Sequence, residues 1–337
     1  MHRLLVAALL VSAVSAANNV CPKGSVVHMP TTIPQYYWPA SWNENMTAPH
    51  LAANQECSWT VTIPSGYYAK IIIDGKVADK DSRFQMIDSA GNIVESTHET
   101  KLPYYFPPVK FTLIVSVEAA ATFAFKIVWA PIPIHGFNAG VGNIANLFNA
   151  TTTVFSNEFG SSSALSVLVF PQDIHKHHEL RSVFIYEGGR NDAQYSTNMD
   201  LVFKTGKQYV SGQTAIMIVN VEASSAFDYY LVQQYDHLKN LHPYKALECN
   251  PNTNCTATID GKKQASALIT VPHGNETLVD VEMDATANFT IYYGSPSAFA
   301  FYKSYTGAEI KSVLPMYCSY IMTFVISSGK AVFSFVA

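Results

Sequence analysis

The chain has 337 residues, of which 14% are charged and 48% hydrophobic, and its formal net charge is −4. So little charge, with no basic block, argues against nucleic acid and anionic membranes as partners. Aromatic residues at 12% point to packed β-structure rather than disorder, and the length allows two or three cores of ordinary size.

In chain order, His2 and Arg3 precede an apolar run from Leu4 to Val14 that ends at the small-residue site Val14-Ser15-Ala16. This is the form of a secretory signal peptide over residues 1–16. No later stretch reaches the ~18 uninterrupted apolar residues of a membrane span, so a secreted, extracellular product with no transmembrane segment is expected. Sequons at Asn45, Asn149, Asn254, Asn275 and Asn288 are the candidate glycosylation sites and agree with that compartment.

An aromatic group, Tyr36, Tyr37, Trp38 and Trp42, comes next. The first strand then alternates Cys57, Trp59, Val61 and Ile63 on one face with Ser58, Thr60 and Thr62 on the other, the period of a half-buried strand. Further strands are expected at Tyr68–Ile73 (ended by Asp74-Gly75), Arg83–Ile87, Phe111–Val117 and Thr122–Trp129. A second aromatic group, Tyr104, Tyr105 and Phe106, sits among prolines in a loop. The run Ile114-Val115-Ser116-Val117-Glu118-Ala119 with Phe123 recurs as Ile218-Val219-Asn220-Val221-Glu222-Ala223 with Phe227, a constant offset of about 104 residues. Met322 to Phe335 has the same form with fewer identities. Pro-containing linkers at 130–133 and 240–243 divide the chain into domains at 17–133, 134–243 and 244–337. No convincing helical pattern follows the signal peptide. The fold expected is all-β, tandem antiparallel β-sandwiches.

Five cysteines, Cys21, Cys57, Cys249, Cys255 and Cys318, should be paired in an oxidising compartment apart from one. The long gap after Cys57 suggests a Cys21–Cys57 bridge, closing a loop of about 37 residues and contributing about 3.8 kcal/mol in the chain-entropy picture. Cys249 can bridge to Cys255, yet Cys318 could take either partner, leaving a buried thiol or an intermolecular link.

The segment Cys57-Ser58-Trp59-Thr60-Val61-Thr62-Ile63-Pro64-Ser65-Gly66-Tyr67 resembles the CUB motif Cys-x-Trp-x-Ile-x-x-Pro-x-Gly. With Asp79 to Phe84, Tyr104 to Pro108 and Phe111 to Trp129, residues from about 20 to 130 look like the nematode family of secreted CUB-like domain proteins. The resemblance implies a jelly-roll sandwich, secretion and a part in innate responses to pathogens. The departures count too: block one lacks the second disulfide, and Ser82 stands where the first calcium-binding acid should be, so no calcium site is carried over.

For chemistry, His175, His177, His178 and Glu179 could hold zinc, but an exposed loop after Pro171 is the plainer reading. Asp79 and Asp81 could bind calcium, against a solvated turn paired with Lys80 and Arg83. Tyr36, Tyr37, Trp38, Tyr104 and Tyr105 are the candidate ligand contacts, since planar rings stack at low entropic cost. Gly-x-Ser-x-Gly, His-Glu-x-x-His and phosphate-cradling loops are absent, so neither catalysis nor a cofactor is expected. The sequence reads as a defence protein that binds an extracellular glycan or protein, the alternative being a matrix glycoprotein without a selective ligand.

Overall fold

The computed structural model describes residues 20–133, 136–140, 146–150, 155–223, 228–273 and 276–337. The signal-peptide reading, Asn275 and Phe227 lie outside them. The chain is mostly β, arranged as three successive blocks of two sheets each.

Block one contains β1 (Ser25–Val27), β2 (Gln35–Trp38), β3 (Gln55–Thr62), β4 (Tyr67–Lys76), β5 (Arg83–Ile87), β6 (Ile93–Ser96), β7 (His98–Thr100), β8 (Lys110–Val117) and β9 (Ala121–Pro131). Block two contains β10 (Gly136–Gly140), β11 (Asn146–Asn149), β12 (Phe155–Gly160), β13 (Leu165–Phe170), β14 (Val183–Glu187), β15 (Gln194–Asn198), β16 (Tyr209–Val210), β17 (Ala215–Asn220) and β18 (Tyr229–Gln234). Block three contains β19 (Tyr244–Ala246), β20 (Asn254–Asp260), β21 (Ser266–Thr270), β22 (Thr277–Met283), β23 (Asn288–Tyr293), β24 (Phe301–Thr306), β25 (Met316–Tyr317), β26 (Met322–Ile326) and β27 (Lys330–Val336).

Apart from two short strands added to the second sheet of block one, His50–Leu51 on β9 and Tyr104–Phe106 on β4, the latter where the sequence suggests a loop, the wiring is the same three times. The first sheet runs β1-β3-β8-β5-β6, then β10-β12-β17-β14-β15, then β19-β21-β26-β23-β24; the second runs β2-β9-β4-β7, β11-β18-β13-β16 and β20-β27-β22-β25. In each block the first strand pairs in parallel with the third and the other pairings are antiparallel.

Two-residue alternation builds the cores. Cys57, Trp59 and Val61 on β3 are fully buried, as are Phe123, Phe125 and Ile127 on β9. Trp59 meets the Trp38 ring edge-on at 5.2 Å and Phe125 at 5.0 Å, the offset geometry that aromatic quadrupoles favour. Gly66 takes φ +80° in the turn after Pro64, as a motif with glycine at that place requires. The strand expected to stop at Asp74-Gly75 instead continues to Lys76. Gly75 is there because the Phe84 and Phe123 rings lie on it; an added Cβ would meet the Phe84 ring and the Thr122 carbonyl at 3.0 Å.

The sequence repeat is one residue out of phase with the structural one. Leu113, Val115 and Val117 of β8 face their core, whereas β17 turns Ile216 and Ile218 inward and leaves Val219 and Val221 on the outer face. A one-residue slip moves every side chain to the other side of its sheet. The outward valines are covered by block one.

Stacking follows one rule. The second sheet of each block packs its outer face on the first sheet of the next: Tyr68 and Ala130 against Phe184, Tyr186 and Val219, then Leu168, Phe170 and Leu231 against Tyr244, Ala267 and Ile269. Disulfides join Cys21 to Cys57 and Cys249 to Cys255, with Cα atoms 5.6 and 5.8 Å apart. Cys318 is a free, fully buried thiol. No helix among the described residues is long and apolar enough to cross a membrane.

Candidate functional site

The junction of blocks one and two is held by polar groups as well as by apolar burial. Glu222, in the turn after β17, accepts hydrogen bonds from Lys70 Nζ (2.7 Å), Tyr105 Oη (2.8 Å) and Tyr68 Oη (3.3 Å). Burial, and then the Glu222 charge, push both phenols up, so the tyrosines stay neutral donors. Beside them the Arg181 guanidinium lies 3.6 Å from the centre of the Tyr104 ring, and its Nε is 3.6 Å from the buried Asp200 carboxylate. Asp200 also meets His177 Nδ1 at 2.5 Å and Lys204 Nζ at 2.9 Å. Burial works against its charge, but these three partners outweigh it and hold its pKa below the usual value.

On the outside of this junction lies a cleft of about 670 Å³. Block one contributes Asn92 and Ile93, and block two contributes Ser196 and Thr197 of β15, residues of the short helix α1 (Met199–Thr205), and Lys207 to Val210. Asn198 caps α1 by accepting from the Leu201 N–H at 3.0 Å, and Gly206 closes it at φ 60°. The helix end and the loop after it are therefore held in place. Asn92 Nδ2 donates to the Ser196 carbonyl at 2.9 Å, and Tyr195 Oη to Asp88 at 2.9 Å, so the floor spans both blocks. Tyr209 Oη donates to Glu187 at 2.6 Å and lies 2.9 Å from Ser196 Oγ. Thr205, Lys207 and Gln208 stand among aliphatic Leu201, Val202 and Val210. Amides, hydroxyls and two ammonium groups, Lys204 and Lys207, beside apolar carbon suit a ligand with both hydroxyl groups and C–H faces, as a sugar has.

The sequence candidates lie elsewhere. Trp38 is in the core of block one, Tyr104 is under Arg181, and Tyr105 is buried between blocks. These three offer no ring to an outside ligand, which corrects the aromatic platform expected from sequence. Tyr36 and Tyr37 are half-buried, Tyr36 against Phe125 and Tyr37 under Lys126. The histidine cluster is not an exposed loop. It forms a 3-10 helix, Ile174–Ser182, whose His177 is tied to Asp200 and whose His178 is half-buried, its pKa lowered by burial and then by Arg181.

Asp79, Asp81 and Glu118 bring carboxylate oxygens within 4.8 Å of one another. Asp79 is already engaged: Oδ1 accepts from the N–H groups of Asp81 (2.9 Å) and Ser82 (2.8 Å), and Oδ2 from Ser82 Oγ (2.6 Å) and the Ala119 N–H (3.2 Å). That is a clamp between the turn before β5 and the β8–β9 turn. A calcium ion needs six or more oxygens, and the four-donor set on Asp79 competes with it, so no metal is assigned. Of the sequons, Asn45, Asn254 and Asn288 are exposed and Asn149 is half-buried. The cleft residues escaped the sequence reading, although Asn198 and Gly206 bracket α1 with start and stop signals that are legible in principle.

Residues 16–133 match the CUB-like domain family, over the motif and the two sheets just described. Block one is a CUB-like domain. Residues 236–337 match a domain family of unknown function, DUF7591, whose sheets here repeat the wiring of the CUB-like block. Among curated proteins none matches. Similar solved structures include the CUB1-EGF-CUB2 region of human MASP-1/3 (6% identity, 59% of this chain and 98% of that one, TM-score 0.24). The same region of rat MASP-1 (6%, 62% and 99%, 0.24) and the extracellular region of zebrafish Gpr126/Adgrg6 (9%, 94% and 52%, 0.26) are others. At such TM-scores these likenesses add nothing to the family match.

Proposed function

We propose that the chain is a secreted, non-enzymatic binding protein of host defence that holds an extracellular glycan in the cleft between blocks one and two. The cleft carries this reading: it is concave, lies where two sandwiches meet, and is lined by polar groups of block two together with Asn92 of block one. The CUB-like block, the two disulfides and the exposed sequons fit an extracellular setting. Burial of Cys318 speaks against the matrix alternative, because a fully buried thiol pushed up to about 12 by burial is a poor partner for an intermolecular bridge.

The test is a glycan array with whole-microbe pull-down, using the full chain and the variants Lys207→Glu and Gln208→Ala. Retention by the wild type and at least a tenfold loss in the variants are expected. No retention on any glycan or microbe, or retention indifferent to both substitutions, sinks the reading.

A further inference from the structure

The face of block two that receives block one has a twin in block three. In block two, β14 and β15 pair Tyr186 with Tyr195 beside a bulge that leaves Ser196 without an opposite residue. The two rings lie 5.8 Å apart at 71° and belong to one cluster with Tyr68 and Tyr105, Tyr186 buried and Tyr195 partly buried. The bulged Ser196 offers its carbonyl to Asn92 of block one. In block three, β23 and β24 pair Tyr292 with Phe301 beside a bulge at the same place, this time leaving out Tyr302. Those rings lie 6.1 Å apart at 77°.

Block two leaves this second copy of the face uncovered, and the Asn288 sequon stands at the opposite end of β23 from the rings. Block two meets block three on the other half of the sheet, over Tyr244, Ala267 and Ile269. Phe301 is left 52% exposed and Tyr302 47%, with Tyr293, Phe299 and Tyr320 open around them. Tyr293 stands 4.8 Å from the Tyr302 ring and 5.8 Å from Tyr320, so these three rings form one patch next to the Tyr292–Phe301 pair. Among the described residues every exposed Phe or Tyr lies between positions 293 and 320. Contiguous apolar patches of this kind mark protein interfaces.

We propose that this face docks a second copy of the chain, ring face to ring face about a two-fold axis. What fits the equivalent face in block two is a tyrosine-bearing sheet surface, and the exposed aromatic surface that this chain offers is the patch itself. A self-complementary patch makes an isologous pair. Charge permits it: the strand's one ionic residue, Lys303, lies over its own Tyr305 ring at 5.0 Å. The acid is gone as well. Glu222 stands four residues beyond Ile218, which pairs with Ile185, whereas Ser328 stands four beyond Phe324, which pairs with Ile291; docking therefore buries no unpaired carboxylate. The bulge and Lys303 blunt β24 as an edge, so the contact runs through rings rather than through a continued ladder. At their exposures, the five open rings supply roughly 600 Å² a side, against about 800 Å² for a standard interface, which fits a reversible, micromolar pair. Two clefts on one dimer would raise avidity for a repeating glycan, but the dimer does not depend on the cleft.

The experiment is sedimentation velocity of the full glycosylated chain from about 1 to 100 μM, a range set to bracket micromolar affinity, beside Phe301→Lys and Tyr302→Glu. Both positions are exposed, and unchanged melting certifies the fold. The expected result is a concentration-dependent monomer–dimer shift whose dissociation constant rises at least tenfold in each variant. A single monomeric species throughout, or a dimer that survives both substitutions, overturns the proposal. Because no microbial glycan is added and both substitutions lie outside the cleft, failure here leaves the cleft untouched, and failure on the array leaves the dimer untouched.

Discussion

Gly75 shows how a residue read as punctuation can be a packing device. Asp-Gly commonly ends a strand, yet here the strand passes through, because Gly75 is opposite Phe123 and its missing Cβ makes room for two rings. Gly75→Ala would press a methyl group onto the Phe84 ring, which can yield, and onto the Thr122 carbonyl, which cannot. The expected cost is about 1–3 kcal/mol, read as a lower urea midpoint with an unchanged slope. A neutral substitution would mean that β4 shifts to absorb the methyl. Trp59, Phe123 and Phe125 were legible in sequence, since alternation alone puts them on one face. Tyr104 and Tyr105 were not: the prolines around them are visible, but the second block that covers them is not.

Among the elements, the strands at the junctions depart from alternation. All of Leu165–Phe170 is buried, as is all of Ser266–Thr270, because the core takes one face and the neighbouring block the other. Near the second junction the burial extends to titratable groups. Tyr229 stacks edge-on against His273 at 4.9 Å, and Glu276 accepts the His273 N–H at 3.3 Å. Burial raises Glu276 to about 7 and Asp228 to about 6, and lowers His273 to about 4. Each raised carboxyl adds stability that is full below its unfolded value and is lost as pH rises through 6 to 7. His273 acts oppositely, losing stability as pH falls below its unfolded value of about 6.5. Two carboxyls outweigh one imidazole, so the melting temperature should be higher at pH 5.5 than at pH 8. Glu276→Gln should flatten most of that rise in a pH series by calorimetry, and an unaltered slope would refute the assignment.

For the whole molecule, the buried junctions make the three cores mechanically continuous. Leu231 is fully buried between blocks two and three, so Leu231→Asp places an unpaired charge there. It should cost several kcal/mol, about 3 or more, and split a single calorimetric transition into two. One intact transition in the variant would show that the blocks do not depend on this contact.

Local pattern was enough to decide that the chain is all-β, which rings fill its first core and that Cys21 joins Cys57, because side-chain alternation and chain-closure entropy act along the sequence. Which outer faces are covered was decided only by the stacking of the blocks. Val219 and Val221 look like the core residues Val115 and Val117, yet they face a neighbour, since a one-residue phase shift has no local signature. Tyr186 and Tyr292 occupy matching places in their sheets, and one is buried and the other half-open because a sheet's second face is covered by residues a hundred positions away. The cleft between blocks one and two exists for the same reason.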